Sequence, residues 1–285
     1  MRRVFVDKMR GFQVTSSNYL FTLEGGKFTH FVTTATELGS GRHKVIEEKE
    51  LPFRNYSTGI EDLDTIIGSY PRGGFVLFEV VGDSISWAYR PVLFHAIADF
   101  LLNDCGVIYM PEDGSYSSSV KKLLSDYVSE EALDKNLRMP TISKTESEDP
   151  CLFHLEGEGD GKAGSLKEYL AKHREVYKEL KKPVLHVFGL TRPNIYSEDD
   201  VRETLSEAVS WVRTTNDVLI GILKPSAKLK NEICEMADVH LRFIPINGTL
   251  NLYGVTPRTV IYNVSPLPVG EKEEKYHQLK FVPFV

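Results

Sequence analysis

Three continuous apolar runs decide what this chain can fold into. They read FVLFEVV (75–81), VLHVFGL (184–190) and DVLIGIL (217–223), and none of them alternates regularly between apolar and polar residues. Strands of this kind are buried on both faces, as in a parallel sheet that helices cover on each side. We therefore predict an α/β fold, a three-layer sandwich around a mainly parallel central sheet. A covering helix is predicted from 166 to 182, where one face carries Leu166, Tyr169, Leu170, His173, Val176, Tyr177 and Leu180.

Both ends of the chain carry hairpin signals instead. Asn247-Gly248 separates two β-rich runs, and this pair is strongly preferred in two-residue hairpin turns. Near the N-terminus, NYLFTLEGGKFTHFVTT (18–34) contains two β-rich runs around a Gly-Gly pair. We predict an N-terminal β-hairpin extension with a linker (1–52) and an α/β domain (53–285). The extension is interpreted either as an edge of the main sheet or as a small β appendage that holds a partner or a neighbouring copy.

The net charge of the chain argues against nonspecific electrostatic binding of nucleic acid. The chain has 285 residues, 26% of them charged, and a net charge of -6, whereas nucleic-acid binding domains carry a basic surface. We therefore expect nucleic acid not to be the favoured partner. Two local basic groups keep that role open as an alternative, namely Arg2, Arg3, Lys8 and Arg10, and Lys224, Lys228 and Lys230.

Cysteine and histidine spacing predicts neither a metal site nor a disulfide framework. The three cysteines stand singly, and the eight histidines are expected in structural or surface roles, with His173 a partly buried core residue. No apolar run is long enough for a signal peptide or a membrane span, so we expect a cytoplasmic protein without membrane contact. Only two glutamines accompany abundant Lys and Glu, a bias that favours a thermophilic source.

One long motif connects the chain to a known family. The stretch STGIEDLDTIIGSYPRGGFVLFEVVGD (57–83) resembles the run that leads into the first core strand and phosphate loop of RecA/KaiC-like ATPases, including archaeal RadA paralogues. EMADVHLRF (235–243) resembles a later segment of that family, and the resemblance covers roughly residues 57–265. It implies a RecA-like three-layer sandwich, to which the C-terminal hairpin predicted from Asn247-Gly248 adds antiparallel strands. The matching positions are Thr58, Gly59, Ile60, Leu63, Asp64, Gly68, Gly73 and Gly74.

The phosphate loop itself departs from the family pattern. A working member cradles the phosphates with a glycine-rich turn and a helix N-terminus, and neutralises them with a lysine. Here the segment reads GDSISWAYRP, without a second glycine or a lysine, and Pro91 removes a backbone N–H. By resemblance, the strand at 184–190 should end in Asp-Ser to hold magnesium, but it ends in Phe188-Gly189. The degenerate loop positions are Gly82, Asp83, Ser84, Tyr89 and Arg90.

The resemblance points to two further candidate sites. Glu112 and Asp113 follow the second core strand, where the family places its water-activating glutamate. We interpret this pair as a relic or as a solvated loop pair, because a general base needs a reaction site beside it. Arg258 lies near the region where family members present basic residues to a neighbouring subunit's phosphate, and an exposed arginine at a strand entry is an equally good interpretation.

These features favour a catalytically inactive RecA/KaiC-like protein, a pseudo-ATPase that acts by protein–protein binding. We expect no bound cofactor, and a role as a regulator or assembly factor of a larger complex such as DNA-repair machinery or a ribosomal subunit. In that case Trp87, Tyr89 and Phe94 repack the former nucleotide cleft. A homo-oligomer, with a dimer favoured, is expected by family analogy. The alternative is a nucleotide-binding protein or weak ATPase with an unconventional phosphate loop, which would bind ATP or ADP with magnesium.

Overall fold

The structure is a computed structural model that describes most of the chain. The described residues are 2–8, 10, 17–31, 55–82, 89–111, 117–141, 149–154, 166–180, 183–190, 198–225, 227, 229–266 and 279–284. The strands are β1 (Arg2–Phe5), β2 (Asn18–Thr22), β3 (Thr29–His30), β4 (Phe75–Val80), β5 (Gly106–Met110), β6 (Leu137–Thr141), β7 (Leu152–His154), β8 (Val184–Gly189), β9 (Val218–Leu223), β10 (Val239–Ile246), β11 (Thr249–Thr256), β12 (Tyr262–Pro266) and β13 (Leu279–Pro283). The helices are α1 (Glu61–Ile67), α2 (Arg90–Leu102), α3 (Ser117–Leu124), α4 (Glu130–Asn136), α5 (Leu166–Leu180), α6 (Glu198–Thr215) and α7 (Lys230–Met236).

A ten-stranded sheet forms the centre of the described structure. Its strand order is β13-β12-β11-β10-β4-β9-β8-β5-β6-β7. Neighbouring strands are parallel from β10 through β4 to β7, whereas β11, β12 and β13 continue the sheet beyond β10 in antiparallel fashion. The predicted mainly parallel sheet with an antiparallel C-terminal hairpin is therefore confirmed.

Helices cover both faces of the sheet, as continuous apolar strands require. The side chains of β4 alternate between the two faces: Val76 and Phe78 belong to the core under α2, and Phe75 and Leu77 belong to the core under α5 and α6. Helix α2 is buried along almost its whole length because it packs against the middle of the sheet. The result is the predicted three-layer sandwich. None of the helices in the described ranges is long and apolar enough to cross a membrane.

The C-terminal hairpin forms where the Asn-Gly pair predicts it. Asn247 and Gly248 both have positive φ, 50° and 76°, as the type of turn that joins twisted strands most closely requires. The run RTVIYNV (258–264) predicts the next strand, but β12 begins only at Tyr262 because residues 257–261 form the turn that reverses the chain after β11.

The N-terminal strands form a sheet of their own. Strands β1, β2 and β3 are antiparallel neighbours and pair with none of the described strands of the main sheet. The interpretation as an edge extension is therefore wrong, because these strands pack against the end of β13 through side chains. Thr22 Oγ1 donates a hydrogen bond to the Pro283 carbonyl at 2.9 Å, and the rings of Phe31 and Phe284 meet edge to face at 4.9 Å. Structurally, this segment is the small β appendage; its role in holding a partner stays a prediction.

Candidate functional site

The candidate site lies at the carboxyl ends of the parallel strands around β4. The chain leaves β4 through α2 to reach β5 on one side, while β10 lies on the other side, and such switch points are where open α/β sheets bind ligands. Gly82, Tyr89 and Arg90 frame this point among the described residues. Asp83 and Ser84 lie outside the described residues.

The motif before β4 folds into a turn organised by one carboxylate. Ser57 Oγ donates to Asp64 Oδ2 at 2.6 Å, and the Thr58 amide donates to Asp64 Oδ1 at 2.7 Å. Burial raises the pKa of Asp64, although these hydrogen bonds lower it in part. Gly59 has φ +75°, and a Cβ there would lie 2.3 Å from the His95 carbonyl oxygen of α2. The turn can therefore pack directly on the helix that follows the phosphate loop only because it carries glycine.

The first turn of α2 begins with a residue that is packed into the apolar core. Tyr89 occupies the position before the helix, is fully buried, and accepts the Leu93 amide hydrogen bond at 3.0 Å. Among the described residues, no side chain at the N-cap position donates or accepts a capping hydrogen bond at this end, and Pro91 follows directly after Arg90. At the base of the loop, the Val81 amide donates to the Phe243 carbonyl at 2.9 Å, and Gly82 turns the chain with φ +90°.

The described ends of β8 and β9 do not supply the carboxylate that a magnesium–nucleotide complex needs. Strand β8 ends in Phe188-Gly189, and the Phe188 side chain is 3% exposed. Strand β9, between β4 and β8, ends in Leu223 and is followed by Lys224. Magnesium is held by oxygen ligands such as carboxylates, so the described residues at these strand ends do not fit it. Glu112 and Asp113, which follow β5, lie outside the described residues.

A buried charged cluster stands one residue before the end of β4. Glu79 is 1% exposed, and its Oε2 accepts from Arg242 Nε at 2.7 Å and lies 2.8 Å from His240 Nε2. Lys230 Nζ of α7 lies 2.5 Å from Glu79 Oε1. Burial by itself raises the pKa of Glu79, but the hydrogen bonds from His240, Lys230 and Arg242 outweigh it and lower the pKa to about 2. Sequence reasoning missed this cluster, although a glutamate inside an apolar strand was its signal.

Among the described residues, two groups of potential metal ligands already form ion pairs with cationic side chains. The first group comprises Glu79, Cys234 and His240, whose potential ligand atoms lie within 4.8 Å of one another. Its carboxylate is already neutralised by Lys230 and Arg242. Asp134, Asp149 and Cys151 form the second group. Lys121 Nζ lies 2.8 Å from oxygens of both aspartates. Each group therefore forms ion pairs that connect different secondary-structure elements.

His173 is a buried core residue, as its place on the α5 stripe predicts. Its Nε2 lies 2.6 Å from Nδ1 of His186 on β8, and His186 Nε2 lies 3.3 Å from Asp217 Oδ2. Asp217 also accepts the Val184 amide at 2.9 Å and the Thr215 hydroxyl at 2.5 Å. Burial, together with His186 and Arg174, lowers the pKa of His173 well below its usual value. These hydrogen-bonded side chains connect β8, α5 and the end of α6. We therefore assign them a structural role.

Arg258 lies far from Gly82 in the topology. It is exposed in the turn between β11 and β12, and β11 runs antiparallel to β10, with Thr256 opposite His240. Because β10 is parallel to β4, this turn lies at the amino-terminal edge of the sheet, opposite the candidate site. Contact of Arg258 with a neighbouring subunit stays a prediction.

Comparison with solved structures identifies the architecture. The protein PH0321 of Pyrococcus horikoshii, solved in complex with an unknown peptide, superposes with a TM-score of 0.57 at 14% identity over 80% of this chain and 99% of its own. The KaiC-like protein PH0186 of the same archaeon gives 0.53 at 11% identity over 80% of this chain and all of its own. The fold is RecA/KaiC-like. The degenerate, RadA-paralogue character of this RecA/KaiC-like chain stays a prediction.

Curated relatives extend the comparison along the sequence. No protein-family model matches the chain. Protein GvpD2 of Halobacterium salinarum is 27% identical over 276 residues, which cover 92% of this RecA/KaiC-like chain and 55% of GvpD2. Protein GvpD1 of the same organism is 22% identical, again over 92% of the chain and over 59% of its own length. The chain thus spans less than two thirds of both relatives.

Proposed function

We propose that this RecA/KaiC-like protein acts by binding another protein, as a regulator or assembly factor of a larger complex, and does not hydrolyse nucleotide. The observation that carries the proposal is the end of β8. Phe188 and Gly189 stand where the resemblance places the magnesium carboxylate, and Phe188 is packed into the core. Without that ligand, the described end of β8 does not contribute to balancing the charge of a transferring phosphoryl group.

Packing around the start of α2 supports the same proposal. Tyr89 and Phe94 are both buried in the core on the α2 side of the sheet. We interpret this packing as repacking of the former nucleotide cleft, because a nucleotide site needs an open pocket. Pro91 removes one of the amide donors that a helix N-terminus offers to phosphate.

The neighbouring structures support protein binding as a use of this fold. PH0321, whose fold this chain shares, was solved in complex with an unknown peptide. A peptide or a protein surface is therefore the ligand class that we propose for the present chain.

Calorimetric titration with ATP and ADP, with and without magnesium, tests the loss of nucleotide chemistry. We expect no binding heat, no change in melting temperature and no phosphate release, because lysine and the magnesium ligand are absent from the motif positions. Nucleotide-dependent phosphate release above that of a buffer blank would contradict the proposal. Purified protein in the same buffer, titrated with inorganic phosphate, controls for nonspecific anion binding.

The alternative, a nucleotide-binding protein or weak ATPase, has one favourable observation. Gly82 adopts the positive φ that a phosphate-loop turn uses, and Arg90 stands in the first turn of α2. If nucleotide binds, Arg90→Ala should abolish the heat, whereas Arg258→Ala, at the opposite edge of the sheet, should leave it unchanged. That pair of results would replace the first proposal by the alternative.

A further inference from the structure

The three-stranded N-terminal sheet has one face packed on the main domain and one face directed outward. Leu20 and Thr22 of β2 are each 1% exposed and point toward the end of β13. Successive side chains of a strand point to opposite faces, so Tyr19 and Phe21 belong to the outer face. The register adds Arg2, opposite Phe21 on β1, and His30, opposite Phe21 on β3.

The outer face is aromatic where a solvent-facing sheet is normally polar. Phe28 stacks on Phe21 with ring centroids 4.8 Å apart and an interplanar angle of 29°. The Phe28 ring is nevertheless 59% exposed. Contiguous exposed apolar groups, unlike single scattered ones, mark interaction sites on proteins, and the stacked rings of Phe21 and Phe28 are contiguous.

The N-terminal segment that carries this sheet is basic, although the whole chain is acidic. Residues 1–31 contain five Lys or Arg and two Asp or Glu, whereas the complete chain carries a net charge of -6. Arg2 shares the aromatic face, and Lys27 lies exposed next to Phe28. The surface that we name the aromatic–basic face therefore comprises Arg2, Tyr19, Phe21, Phe28 and His30.

The inner face fixes this sheet at the amino-terminal edge of the central sheet. Phe284, which packs on Phe31, donates its amide to the Ile261 carbonyl at 3.0 Å. Ile261 ends the turn that carries Arg258 and the 55% exposed Val260. A partner on the aromatic–basic face would thus approach the edge opposite Gly82 and leave the switch point of β4 uncovered.

We infer that the aromatic–basic face binds a protein segment that presents acidic and apolar side chains together. The inference rests on the proposed function, because it names the partner of a chain that acts by protein binding. Aromatic residues and Arg are the side chains enriched in protein interfaces, and the positive charge complements an acidic segment. A protein segment is favoured over a nucleic-acid strand because the rest of the chain, with its net negative charge, would repel a long phosphate backbone.

Fluorescence anisotropy with designed peptides tests the inference. The probe is a fluorescein-labelled peptide that repeats Glu-Leu-Ser, compared with peptides that repeat Lys-Leu-Ser and Glu-Ser-Ser and with oligo-thymidylate. We expect saturable binding of the Glu-Leu-Ser peptide only. Phe28→Ser and Arg2→Glu should each weaken it by at least about tenfold. Leu123→Ser, which removes an exposed apolar side chain from α3, is the matched control and should change nothing.

Several results would overturn the inference. Equal binding of the Lys-Leu-Ser peptide, no saturable binding of the Glu-Leu-Ser peptide, or equal affinity of the Phe28→Ser variant would each do so. Tighter binding of oligo-thymidylate would assign the face to nucleic acid instead. A dimer in light scattering that Phe28→Ser dissociates would assign it to a second copy. Unchanged melting temperatures of the variants show that they remain folded.

Nucleotide titration separates this inference from the proposed function. If nucleotide is hydrolysed while Phe28→Ser still loses the peptide, the proposed lack of nucleotide chemistry fails and the aromatic–basic face stands. If neither nucleotide nor any of the peptides binds, the inference is wrong, whereas the proposed loss of nucleotide chemistry is supported.

Discussion

At the scale of single residues, Asp64 holds together the turn that precedes the central strand. Asp64→Ala should lower the free energy of unfolding by about 2–3 kcal/mol, because the buried Ser57 hydroxyl and Thr58 amide lose their acceptor. Asp64→Asn keeps an oxygen for the Thr58 amide and should cost about half as much. Urea unfolding measures both values. Glu61→Ala, on the exposed side of α1, is the control, and equal losses for all three variants would contradict this role of Asp64.

Glu79 should make stability depend on pH in the acidic range. Its pKa is about 2 in the folded protein, against 4.5 for an ordinary glutamate. The unfolded chain therefore binds the proton more readily, and this contribution to stability, complete above pH 4.5, is lost as the pH falls toward about 2. Glu79→Gln should remove this slope and cost about 3 kcal/mol near neutrality, since Lys230 and Arg242 lose their anion. Urea unfolding at several pH values checks both, with the exposed Glu130→Gln as control; an unchanged slope in Glu79→Gln would refute the assignment.

These residues differ in how far the sequence alone could reveal them. Asp64, Gly82 and Arg90 stand in one contiguous motif, so that spacing alone locates them. The partners of Glu79 are not found by spacing, because they lie far away in the sequence: His240 follows Glu79 by 161 positions. Only the pairing of β4 with β10 brings the two together, and strand order is decided by packing of the whole sheet.

At the scale of elements, substitutions at two glycines distinguish the free-energy cost of backbone strain from the cost of a steric clash. Gly59 and Gly26 have nearly the same φ, 75° and 74°. Gly26→Ala meets no atom within 4 Å and should cost about 1 kcal/mol from backbone strain. Gly59→Ala would also press against the backbone of α2 and should cost at least about 3 kcal/mol. Thermal unfolding of both variants compares them, and equal losses would show that α2 yields to the new methyl group.

Elements were predictable where burial imposed a pattern. Strands β4, β8 and β9 are buried on both faces and appear as apolar runs, and α5 shows its stripe. Strands β6 and β7 escaped prediction, because LRMPT contains a proline and LFH is too short to show a period. The sequence signal for helix α4 is Ser129 at its N-cap position. The Ser129 hydroxyl accepts a hydrogen bond from the Ala132 amide at 3.4 Å.

At the scale of the whole molecule, the N-terminal sheet should be separable from the main domain. Phe31→Ala removes its edge-to-face contact with Phe284, so we expect faster amide hydrogen exchange in β2 and unchanged exchange in β4. Leu123→Ala, on the exposed side of α3, should leave both rates as they are. Mass-spectrometric hydrogen exchange measures the two strands in one experiment. Faster exchange in β4 of the Phe31→Ala protein would instead show that the two sheets unfold as one unit.

The order of strands in the central sheet also has a consequence for synthesis on the ribosome. Strand β4 leaves the ribosome well before its two neighbours, β9 and β10: Phe75 pairs with Leu219, and Val76 pairs with Val239. Until then, the apolar run FVLFEV has neither neighbour, and unpaired strands of this composition aggregate. Nascent chains that stop before β10 should therefore depend on chaperones for their solubility, and the completed chain should not.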